Sequence, residues 1–129
     1  MTKTKFVLEY DMRGASVTLL WQYVHLPQGL ELWFADRVEQ SGKTFTFYWD
    51  DEPHVAQLLS MRSGVYMRFR WNDPAAQKTY FEIRISVSEL TDNKTLVITD
   101  FAESPDDQYE LQGIWDQQID VLRRQLGFV

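Results

Sequence analysis

The chain predicts an α+β fold: a curved antiparallel sheet of about seven strands gripping a long C-terminal helix, with two short helices between strands 1 and 2. Three observations carry this reading. Residues 44–49, 65–71 and 79–87 alternate in character, with large rings concentrated on one phase, as strands with one oily face do. Asp106 to Leu126 instead repeats its apolar residues at three- and four-residue steps, the period of one amphipathic helix. The meander comes first and its cover last.

The first element, Lys5 to Met12, sets Phe6, Leu8, Tyr10 and Met12 on one side and Lys5, Val7, Glu9 and Asp11 on the other. At Ser16 the period becomes helical. Val17, Leu20, Trp21 and Val24 share a face, and Ser16 is placed to accept an orphan amide proton of the first turn. Pro27 ends that helix and opens a second, short one expected to run through Leu30 to Phe34. Val38 falls on a short strand before the Ser41-Gly42 turn.

Within the meander, Phe45, Phe47 and Trp49 share a face. Asp50-Asp51-Glu52-Pro53 breaks the run, since the carboxylates repel and Pro53 lacks an amide donor. Val55, Gln57, Leu59 and Met61 are expected on the next inner face, with Leu58 out of phase. After Ser63-Gly64, Val65, Met67, Phe69 and Trp71 oppose Tyr66, Arg68 and Arg70. Beyond Asn72-Asp73-Pro74, Phe81, Ile83, Ile85 and Val87 oppose Tyr80, Glu82, Arg84 and Ser86. Thr91 to Lys94 turns into a last strand, Thr95 to Ala102.

The closing helix has well-written ends. Ser104 suits the N-cap, Pro105 the first helical position, and Asp107 the acid of a capping box. Arg123 and Arg124 suit the negative end, and Gly127 the stop. Leu111, Ile114, Trp115, Ile119, Leu122 and Leu126 form the stripe. Gly113 dissents, and implies either a close backbone neighbour or a later start to the regular helix.

Length and composition narrow the function classes. At 129 residues the chain fits one domain, residues 1–129, able to bury roughly two-thirds of its unfolded surface. Five Trp, six Tyr and eight Phe must fill a core, line a pocket or form an interface. A net charge of −6 without a basic cluster argues against nucleic acid as a partner. The absence of cysteine excludes disulfides, thiolate nucleophiles and thiolate metal sites. Met1 to Lys5 lacks a signal-peptide pattern, and no stretch approaches the ~18 apolar residues of a membrane span. The cytoplasm is the expected location.

The order of elements resembles the START-like, helix-grip superfamily, which also holds birch-pollen-allergen-like proteins and polyketide cyclases. Within it the chain is most similar to small bacterial START-like proteins near the heat-shock ATPase-activator homologues. Pro27-Gln28-Gly29-Leu30, Trp33-Phe34-Ala35-Asp36, residues 44–49, Arg68-Phe69-Arg70-Trp71, Thr99-Asp100-Phe101-Ala102 and Trp115-Asp116-Gln117-Gln118-Ile119 carry the likeness. These are packing signatures, which specify fold better than activity. The resemblance implies a cavity for a hydrophobic ligand, reduced here by the short chain.

Catalytic chemistry is sparse. There is no Gly-x-Ser-x-Gly elbow and no phosphate-cradling Gly-rich loop, so the default is a non-enzyme without cofactor. His25 at the end of the first helix suits a cap. His54 beside Asp50, Asp51 and Glu52 matches no metal motif, so no metal site is assigned. Asp100 interrupts an apolar strand. A carboxylate bonded to a loop amide is the simpler reading, and an acid of perturbed pKa in a cyclase- or dehydratase-like enzyme the alternative.

Two surfaces remain. The concave candidates for a small hydrophobic ligand are Phe45, Phe47, Trp49, Met67, Phe69, Trp71, Phe81, Ile83 and Ile85, facing Trp115, Ile119 and Leu122. Bulk favours a filled core, because each ring takes volume a ligand would need. The convex candidates are Tyr48, Tyr66, Arg68, Arg70, Tyr80 and Arg84, residue types favoured where a protein partner or second copy docks. Pairing with Glu82 on a solvated face is the simpler account of them.

Overall fold

The computed structural model describes residues 2–128; Met1, part of the N-terminal reading, lies outside them. The strands are β1 (Thr4–Asp11), β2 (Arg37–Ser41), β3 (Thr44–Trp49), β4 (Glu52–Arg62), β5 (Tyr66–Trp71), β6 (Phe81–Val87) and β7 (Lys94–Ala102). The helices are α1 (Val17–His25), α2 (Pro27–Leu30) and α3 (Pro105–Gln125). One antiparallel sheet runs β1-β7-β6-β5-β4-β3-β2. Strands β2 to β7 form a meander and β1 closes beside β7. The α1–α2 connection therefore carries the chain from one edge of the sheet to the other.

The alternating patterns of β1, β3, β5 and β6 become burial directly. Phe45, Phe47, Phe69 and Phe81 are at most 1% exposed, and Met67, Ile83, Leu96 and Ile98 join them on the concave face. Leu20 and Val24 of α1, and Trp115, Ile119 and Leu122 of α3, complete that core. The rings interlock edge to face: Phe45 and Phe69 lie 5.0 Å apart at 81°, Phe47 and Phe69 5.8 Å apart at 82°. Such geometry adds to burial, which contributes roughly 1.5–3 kcal/mol for each fully buried large side chain.

Strand β4 corrects the expected phase. Ala56 opposes Trp71 and Leu58 opposes Phe69, so His54, Ala56 and Leu58 face inward, not Val55 and Gln57. A register shift between Leu58 and Ser60 then flips the alternation. Leu59 falls in that bulge, and Met61 opposes buried Met67 on the inner phase, but both Leu59 and Met61 are exposed at this end of the strand. One unpaired residue moves every later side chain to the other face. The second helix is also shorter than expected: only Pro27–Leu30 is helical, and Glu31 to Phe34 continue as turns. Strand β6 begins at Phe81, not Thr79, whose carbonyl serves Arg70 instead.

Helix α3 has the ends its sequence predicts, with one change. The Ser104 hydroxyl accepts from Asp107 N–H at 3.1 Å, but the Asp107 carboxylate returns to Glu103 N–H, one residue before the cap. At the other end, Phe128 N–H reaches Arg123 O and Gly127 N–H reaches Arg124 O, with Gly127 at φ 82°. This is the double closure that glycine in the left-handed region allows. Ile114, assigned to the buried stripe, is 52% exposed.

Gly113 has neither expected cause. The helix is continuous through it, and a methyl group there would meet nothing within 4 Å. Gly113→Ala should therefore raise the free energy of urea unfolding by about 1 kcal/mol. A loss would show that this helix face is not open.

Candidate functional site

The deep concave candidates are occupied by one another. Phe45, Phe47, Met67, Phe69, Phe81, Ile83, Ile85, Ile119 and Leu122 are all buried in the core. Rings fill the space beneath α3, as their bulk demands. The opening lies at the edge of that core, where three of the twelve candidates, Trp49, Trp71 and Trp115, surround a crevice of about 310 Å³.

Each wall has a local reason for its position. Trp49 and Trp71 end strands β3 and β5, where the concave phase runs out toward loops. Phe34 ends the turn after α2 and its ring packs on Phe47, Trp49, Phe81 and Trp115. The Phe34 carbonyl accepts from Trp49 Nε1–H at 3.0 Å and from Gln118 Nε2–H at 2.8 Å. That one carbonyl ties β3, the turn and α3 together. Leu111, Ile114, Trp115 and Gln118 form the helix wall, and Asp100 of β7 is the remaining lining residue.

Asp100 is the one ionisable side chain of the crevice. Its Oδ1 accepts Phe101 N–H at 2.8 Å and its Oδ2 accepts Trp115 Nε1–H at 2.9 Å. The loop amide expected from sequence is not the partner: the next amide along β7 and the indole of α3 hold the carboxylate. Burial pushes the carboxyl above its ordinary pKa, and the two N–H donors pull against that shift. The folded state therefore holds this proton more tightly than the unfolded chain does. The stability Asp100 contributes is greatest in acid and falls as pH rises from near 3.8 through the raised folded value. In urea titrations, the unfolding free energy of wild type relative to Asp100→Asn should decline over that interval. A rise would contradict the burial assigned to the carboxyl.

His54 sits at the rim. It opposes Phe47 across the sheet, its ring 5.4 Å from Trp49 and 6.2 Å from Trp71, with Nε2 3.8 Å from a Glu52 oxygen. His25 caps instead: its Nδ1–H donates to Trp21 O at 2.6 Å and its ring stacks on Trp21. Among the described residues, no group of three or more His, Cys, Asp or Glu is arranged to hold a metal ion.

The convex candidates are held by contacts within the chain. Buried Glu82 accepts from Arg68 at 2.9 Å and from Arg84 at 3.1 Å. Arg68 lies over Tyr80, Arg84 over Tyr66, and Arg37 over Tyr48. Arg70 Nε donates to Thr79 O. Each arginine of this face therefore has a partner within the chain, and Arg68 and Arg84 remain partly exposed.

Sequence reasoning missed Phe34 and Gln118 as crevice residues, and placed Leu111 and Ile114 on the stripe without assigning them to a site. Phe34 and Gln118 stand inside two of the motifs quoted for the family resemblance, which was the available signal. Hydrophobic periodicity cannot find them, because the crevice forms between elements, not along one.

Known proteins share this fold. A family model described as a START-like superfamily domain matches residues 1–128. The solution NMR structure of BfR322 from Bacteroides fragilis is 41% identical, over 100% of this chain and 95% of that one, with a TM-score of 0.69. The solution structure of the Aha1 dimer from Colwellia psychrerythraea is 15% identical over 95% and 93% of the two chains, with a TM-score of 0.72. The crystal structure of MLL2253 from Mesorhizobium loti is 17% identical over 96% and 97%, at 0.74. These last two show a common fold alone. No curated protein matches the chain. With the family model spanning the same seven strands and closing helix that build the crevice, the chain belongs to the START-like superfamily.

Proposed function

We propose that this domain binds a small hydrophobic molecule in the crevice between the sheet and α3. The observation that carries the reading is the crevice itself: about 310 Å³, walled by Phe34, Trp49, Trp71, Leu111, Ile114 and Trp115, with Asp100 and Gln118 as its polar lining. Predominantly apolar walls with few fixed polar groups are what small-molecule sites require. The modest volume fits a compact molecule better than a long lipid. One carboxylate, held by two N–H donors, supplies a polar anchor but no second group for acid–base exchange, which favours binding over turnover. The engaged arginines of the outer face give the docking alternative less support.

The test uses the neutral fluorescent probe N-phenyl-1-naphthylamine. Saturable binding at one site per chain is expected, and Ile114→Arg should weaken it more than about tenfold by placing a guanidinium at the apolar mouth. Because Ile114 is half exposed, the variant should melt within a few degrees of wild type, a threshold set by the ±0.5 kcal/mol of ordinary surface changes. Probe affinity unchanged by Ile114→Arg would place binding elsewhere.

A further inference from the structure

The crevice has an incomplete charge balance. Its lining contains a carboxylate and no Lys or Arg. Among the described residues Asp100 makes no ion pair. Lys3 acts on it only through space, and Asp107 opposes its ionisation. Trp115 and Phe101 donate N–H groups that stabilise the carboxylate without cancelling its charge. A desolvated carboxylate lacking a counter-ion is costly, and the cost falls when a cation is brought to it.

The walls suit the same partner. Trp49 and Trp71 meet at 61° with centroids 6.1 Å apart. Phe34 stands 5.5 Å from both Trp49 and Trp115. The faces of such rings are electrically negative and attract cations, indole most strongly. An anionic occupant would meet Asp100 with no guanidinium or ammonium on the lining to receive it. A neutral occupant would leave Asp100 without a counter-charge.

We infer that the occupant is an organic cation, an ammonium group on a compact apolar body, with its charge set between the indole walls and the Asp100 carboxylate. This rests on the crevice being a binding site and names the chemistry that the site selects. Each Asp100 oxygen accepts one protein hydrogen bond and retains acceptor capacity for a second. The apolar body lies against Leu111 and Ile114, and the ammonium supplies the counter-charge the protein omits.

Isothermal titration of the intact protein near neutral pH, with hexylammonium, 1-hexanol and hexanoate, tests this. The ammonium probe should bind about tenfold or more tighter than the alcohol, with hexanoate the weakest. Asp100→Asn should remove most of the ammonium advantage over the alcohol, leaving only the share due to the indole walls. Trp71→Leu, which keeps an apolar wall but removes an indole, should reduce the ammonium advantage severalfold without touching the carboxylate. Equal affinity for all three probes, or hexanoate binding tightest, overturns the charge selectivity and leaves the crevice as a site. If no probe binds, both readings fall. A full ammonium advantage in both variants would overturn the roles given to Asp100 and Trp71.

Discussion

Phe34→Ala should lower the unfolding free energy by about 3–5 kcal/mol, the range for deleting a buried ring from a core that cannot collapse around the loss. Phe34 is 3% exposed and its ring touches Trp33, Phe47, Trp49, Phe81 and Trp115. Those neighbours belong to the turn, two strands and α3, so no single element can move in to fill the space. The backbone carbonyl would still receive Trp49 and Gln118, which holds the walls apart. Urea unfolding of wild type and variant gives the difference directly. A cost below about 1 kcal/mol would mean that the rings repack freely, and that the crevice is not a rigid feature of the fold.

The second large effect comes from a glycine. A methyl group at Gly29 would lie 2.0 Å from the carbonyl oxygen of Gln22 and 2.8 Å from Tyr23 Cα, both backbone atoms. Gly29 is what lets the single turn of α2 press on the end of α1. The same approach lets Trp33 Nε1–H reach Tyr23 O at 2.8 Å and buries Val24 and Leu30 completely. Since backbone cannot rotate away as a side chain can, the two helices must separate. Gly29→Ala should destabilise by about 3 kcal/mol, the upper end of overpacking costs. The same substitution at Gly113 should stabilise, so surroundings and not residue type decide the sign. Equal unfolding free energies for the two variants would contradict the packing described at both positions.

Much of the fold was legible because period reports burial. Phe45 and Phe47, Met67 and Phe69, and Phe81, Ile83 and Ile85 alternate without interruption, and all are buried. The strand that misled was β4, where the bulge at Leu58 to Ser60 inserts a residue that no periodic reading can foresee. Leu58, out of phase with the expected face, lies on the observed inner face with His54 and Ala56, before the bulge. Ile114 was drawn into the stripe by spacing alone, but the helix there passes over the crevice mouth instead of the filled core. The site was legible only in part. Trp49, Trp71 and Trp115 follow from their phases, but Phe34 comes from a turn and Asp100 reads as a strand irregularity. Which rings fill and which line depends on where the ends of β3, β5 and β7 meet α3, a tertiary fact with no local signature. On the Tyr/Arg face, the pairing of Arg68 with Glu82 expected across neighbouring strands is present.

The most direct measurement follows the five indole N–H resonances by two-dimensional NMR while N-phenyl-1-naphthylamine is added. Trp49, Trp71 and Trp115 line the crevice, whereas Trp21 and Trp33 do not. Saturable shifts confined to the first three, with Trp115 moving because its N–H is held by Asp100, are what a ligand site between sheet and helix predicts. Shifts at Trp21 and Trp33 with the crevice indoles unmoved would contradict it.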